Sequence, residues 1–146
     1  MATLQANVSV VTLFEDDLDE ARDFYQRVFG QEMLFEDPDS VLFKFGGTFL
    51  NLLKRAAARE ALTPGPVADR TAGARCQLTI FVDDVDARCE HLRATGAELL
   101  NGPMNRPWGM RTASFRDPSG HIWEIAGPVL GDRPGQAVVR SRGPER

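Results

Sequence analysis

Cysteine, histidine and lysine are scarce in this sequence, two of each, and no apolar run approaches the roughly 20 residues of a membrane span. Cys76 and Cys89 lack the spacing of a metal clip and are too few for a disulfide framework, so reduced thiols are expected. His91 falls on a predicted helix and His121 at a strand start, where alternation sets it opposite Glu124, beside Trp123 and Ile125. Surface or structural roles are expected for both histidines. Apart from Lys44 and Lys54 every basic residue is arginine, a bias that codon usage explains as readily as chemistry. The opening MATLQANVSVV has neither the basic start nor the apolar core of a secretory signal, so a cytoplasmic location without membrane association is expected. Neither a Gly-x-Ser-x-Gly elbow nor a Gly-Lys-Ser/Thr phosphate loop is present.

What is there is the composition of an ordinary globular domain, with 42% hydrophobic and 26% charged residues over a length of 146 that suits one core. The net charge of −4 is uneven. From Pro128 onward Arg133, Arg140, Arg142 and Arg146 stand against Asp132 and Glu145, a surplus of two positive charges, which leaves −6 on the preceding residues. Nucleic-acid binding needs clustered positive charge, and this body is acidic. The acidity serves solubility, or favours a cationic ligand.

Residues 7–14 (NVSVVTLF) read as a strand. A helix follows, with Leu18, Ala21, Phe24 or Tyr25, and Val28 on one face. Asp17 is its expected cap, Glu20 the other half of a capping box, and Gly30 its left-handed end. EMLFE, VLFKF and TFLNLLK then read as strands, separated by Asp-Pro-Asp-Ser and Gly-Gly turns. Residues 55–74 are rich in Ala, Pro and Gly and read as a connector whose first half suits a short helical turn. The pattern then returns: CQLTIFVDD, a helix VDARCEHLRATG, and strands AELLNG, MRTASFR and HIWEIAG, with Asp117-Pro118-Ser119-Gly120 as a tight turn. Aligning Asp17 with Asp84 gives a repeat of about 67 residues. The expectation is an α+β fold in which one domain, residues 1–127, holds two βαβββ modules (7–54 and 75–127) that curve into a half-barrel cavity. Residues 128–146 read as a flexible tail.

The initial strand, the Asp-Asp-Leu-Asp-Glu-Ala-Arg-Asp-Phe-Tyr helix start and the late Phe-Arg-Asp-Pro-Ser-Gly-His-Ile-Trp-Glu resemble the vicinal oxygen chelate superfamily. That superfamily includes glyoxalase I, bleomycin-resistance proteins, fosfomycin-resistance enzymes and extradiol dioxygenases, and the resemblance covers about residues 7–127. It implies a homodimer and a cavity in which four strand positions hold a divalent metal, usually through His, Glu or Gln. Carried over from the paired aspartates and the Asp-Pro turn, those positions are Val10, Asn51, Gln77 and Glu124. The internal repeat also superposes Asn51 on Glu124, through TFLNLL and HIWEIA.

Valine has no donor, neutral amides are poor ligands for Zn, Ni or Fe, and one carboxylate does not make a facial triad. No metal and no cofactor is therefore expected, and Zn, Ni, Fe or Mn is disfavoured. The four positions with Trp108 and Arg111 are read as ligand-binding residues: Trp108 stacks on a planar group from its Arg-Pro-Trp-Gly loop, and Arg111 steers an anion or neutralises Glu124. Packing of Trp108 on the sheet edge and a purely structural Glu124 stay open as alternatives. The expected function is sequestration of a small ligand or drug. The alternative is a lyase, isomerase or dioxygenase, metal-dependent or using Glu124 as its catalytic base.

Overall fold

The computed structural model of the chain describes residues 2–129. From residue 130 onward the segment read as a flexible tail lies outside the described residues. The chain divides into two compact units, Met1–Ala72 and Gly73–Arg146.

The first unit runs β1 (Val10–Glu15), α1 (Leu18–Phe29), β2 (Met33–Glu36), β3 (Ser40–Phe45) and β4 (Thr48–Lys54), then α2 (Arg55–Leu62). The second runs β5 (Gln77–Phe81), α3 (Val85–Ala94), β6 (Leu99–Asn105), β7 (Met110–Arg116) and β8 (Ile122–Pro128). Strand order is β1-β4-β3-β2 in one sheet and β5-β8-β7-β6 in the other. In both, the first strand pairs parallel with the last and the remaining pairs are antiparallel. The fold is thus α+β, two copies of one βαβββ wiring, each with an open sheet. Several boundaries differ from the sequence reading, β6 for instance running on to Asn105. The first strand starts at Val10, where pairing with Phe49 of β4 begins. The connector opens with an eight-residue helix, α2, anchored by buried Ala58.

Identical punctuation explains the identical wiring. Asp17 and Asp84 cap α1 and α3, their carboxylates accepting from the Glu20 and Ala87 amides at 3.1 and 3.0 Å. Gly30 ends α1 at φ 61°, a conformation that costs glycine nothing. Asp37 and Asp117 open the turns before β3 and β8, each folding its carboxylate back on two amides of its own loop. Between these signals, periodicity sets the faces. Ala21, Phe24, Tyr25 and Val28 of α1 are buried, as are Val41, Phe43, Leu50 and Leu52 of β3 and β4. In the second unit, Val85, Cys89 and Leu92 of α3 are buried, as are Ala113, Phe115, Trp123 and Ile125 of β7 and β8. Each large aliphatic or aromatic side chain so removed from water contributes roughly 1.5–3 kcal/mol. The helix covers one face of each sheet, and the alternate residues are left to the other face.

Candidate functional site

Alternation writes a polar row across the open face of the second sheet. Thr79 of β5 pairs with Glu124 of β8, Glu124 with Ser114 of β7, and Ser114 with Asn101 of β6. The Thr79 hydroxyl donates to Glu124 Oε1 at 2.9 Å. Thr112, one row along, is buried on the floor of the same concavity. Its hydroxyl accepts from Arg106 Nε at 2.8 Å, while Arg106 Nη2 donates to Asn101 Oδ1 at 3.2 Å. The β6–β7 turn is closed by the Gly109 amide on the Arg106 carbonyl at 3.0 Å, with Gly109 at φ 91°. That turn brings the Trp108 ring under the Arg106 guanidinium, 5.8 Å from centroid to carbon. The space enclosed is about 500 Å³, within the range of small-molecule sites.

The first unit carries a less polar version of the same row. Thr12, Asn51, Leu42 and Phe35 follow one another across β1, β4, β3 and β2. The Asn51 amide reaches Thr12 Oγ1 at 3.5 Å, the counterpart of the Thr79–Glu124 contact. Val10 and Phe49 pair on the same face and are both exposed. A second concavity of about 480 Å³ in this unit is acidic, but its carboxylates are engaged: Arg55 pairs with Asp16, Asp17 caps α1, and Arg22 binds Glu36 at 2.6 Å.

The profile of the Glyoxalase/Bleomycin resistance protein/Dioxygenase superfamily matches residues 7–125. The chain belongs to this superfamily. A glyoxalase/bleomycin resistance protein/dioxygenase from Nocardioides is similar, with a TM-score of 0.78 and 25% identity over 92% of this chain and 91% of its own. TnmS3, an antibiotic binding protein from Streptomyces sp. CB03234, has a TM-score of 0.65 and 27% identity over 88% of this chain and 100% of its own. The metallothiol transferase FosB of Shouchella clausii is 26% identical over 86% of this chain and 83% of its own.

Members of the superfamily often hold a divalent metal, and the residues at the four expected positions fit one poorly. Val10 offers no donor atom, and Asn51 and Gln77 offer neutral amides. Glu124 is the one carboxylate of the four positions, and its Oε1 already accepts from Thr79.

Of the residues expected from sequence, Gln77, Trp108 and Glu124 line the second unit's concavity together. Val10 and Asn51 lie on the open face of the first unit's sheet. Arg111 requires a correction as Glu124's partner. Met110 and Thr112 on either side of it line the concavity, so Arg111 turns to the helix face. There it holds Asp86 of α3 through two bonds, 2.6 and 2.9 Å. The Arg111 side-chain hydrogen bond holds the Asp86 carboxyl below its usual range, and the same bond raises the guanidinium. Thr79, Thr112 and Ser114 were missed in the sequence, although alternation from Gln77 and Met110 names them. Arg106 had no such signal, because its direction depends on the hairpin turn.

Proposed function

We propose that this chain is a small-molecule-binding protein that sequesters its ligand in the cavity without a metal. The observation that carries the reading is the second unit's concavity, where a hydroxyl-bonded carboxylate, a row of neutral polar groups and an Arg106–Trp108 pair converge within about 500 Å³. Such a surface offers orientation and stacking, while the four superfamily metal positions supply a poor donor set. TnmS3, described as an antibiotic binding protein, lends the reading support. Calorimetric titration of the full chain with bleomycin and a panel of planar aromatic antibiotics tests it. Saturable heat with at least one compound is expected, weakened severalfold to about tenfold by Trp108→Ala. Uniform absence of heat overturns the reading.

The reading takes residues 1–127 as one working domain, a homodimer in the cytoplasm. Exposed apolar side chains on strands, Phe35, Phe49 and Phe81 among them, support a further partner surface. No helix among the described residues is long and apolar enough to cross a membrane.

The similarity to FosB supports a second reading, a metal-dependent enzyme, or one in which Glu124 moves a proton. Elemental analysis of protein purified without chelator or metal-binding tag separates the two. Stoichiometric Zn, Ni, Fe or Mn that disappears in Glu124→Ala favours the enzyme.

A further inference from the structure

Several charges of the second unit are spent on structure. Arg111 pairs with Asp86 and Arg93 with Glu90, while Asp84 caps α3. Two charges in the concavity are not. Among the described residues no carboxylate lies within ion-pair range of Arg106, and no cationic group within that of Glu124. Both hydrogen-bonded partners of the Arg106 guanidinium, Thr112 and Asn101, are neutral acceptors, and its Nη1 has no acceptor among the described residues. Glu124 has one oxygen bonded to the Thr79 hydroxyl and the other without a donor among the described residues.

The two charges line the same hollow and are held by different strands, Arg106 by Thr112 of β7 and Asn101 of β6, Glu124 by Thr79 of β5. Asn101, Ser114 and Glu124 succeed one another in a single row. Two interstrand steps of about 4.8 Å put the backbones of Asn101 and Glu124 on the order of 10 Å apart. A flat body carrying a short substituent of each sign can address both groups, and Trp108 lines the same hollow.

We infer that this cavity takes an amphoteric planar ligand, with an acidic group at the Arg106 guanidinium and an amine or other hydrogen-bond donor on Glu124. The inference rests on the binding reading above and specifies its ligand class. A ligand of one sign leaves one protein charge desolvated and unanswered, which costs affinity, so the pair also selects against such ligands.

Three probes test this on the purified full chain by calorimetry at low salt: 6-(aminomethyl)-2-naphthoic acid, 2-naphthoic acid and 2-(aminomethyl)naphthalene. The amphoteric probe is expected to bind tightest, a ranking that needs no variant. Arg106→Gln is expected to weaken both acids about tenfold and spare the amine-only probe; Glu124→Gln is expected to weaken both amines about tenfold and spare the acid-only probe. The inference is overturned if the amphoteric probe binds no tighter than the others, or if either variant weakens all three equally. Binding of all three without charge discrimination ends the amphoteric inference and leaves the binding reading standing. Silence of all three probes also ends it, and silence of the antibiotic panel as well removes the binding reading.

Discussion

Arg106 and Arg111 flank one hairpin turn, and β7 alternation sends the second to the helix face while the turn folds the first over the cavity. The Arg111–Asp86 pair has a pH signature. Arg111 stays protonated throughout, and the Asp86 carboxyl titrates below its usual range in the folded chain. A depressed folded value contributes stability above the unfolded value of about 3.9, and that contribution is lost as pH falls through the lower folded value. Wild type is therefore expected to melt above Asp86→Asn at pH 7, with a gap that narrows from pH 5 to pH 3 and then closes. Thermal melts across that range check it, and a pH-independent gap removes the electrostatic origin. The gap is small, because the Asp86 side chain is 37% exposed and solvent screens it.

At the scale of elements, capping aspartates and one glycine govern the two modules. Asp17→Ala and Asp84→Ala are each expected to cost about 1 kcal/mol in denaturant unfolding, since each removes the acceptor for an otherwise orphaned helix amide. Similar losses are the expected result of a genuine repeat, and a negligible loss at either site shows that its cap is dispensable. Gly102 lies where the β6–β7 register shifts, at φ 86°. A Cβ there would stand 2.5 Å from the Thr112 carbonyl oxygen and 2.7 Å from the Ala113 Cα. Gly102→Ala is expected to cost about 2–4 kcal/mol, combining left-handed strain with overpacking. Because Thr112 anchors Arg106, ligand affinity is expected to fall in the same variant.

For the whole molecule, the sequestration reading makes stability independent of divalent cations. Dialysis against EDTA is expected to leave the melting temperature and the calorimetric affinity unchanged. A melting temperature that drops with chelator and returns with one particular metal favours the enzyme reading instead.

The order of strands and helices was readable from sequence because the signals are local. Asp17, Gly30, Asp37, Asp84 and Asp117 act on amides within a few residues of themselves or through their own backbone angles. Periodicity then assigned faces one element at a time, enough to bury Phe115 and Trp123 and to open Glu124 to the concavity. Which side chains meet depends on register across strands distant in sequence, and no local signal carries it. Thr79 reaching Glu124 from 45 residues away, and Arg106 rather than Arg111 entering the cavity, were decided only when the strands paired and the hairpin closed.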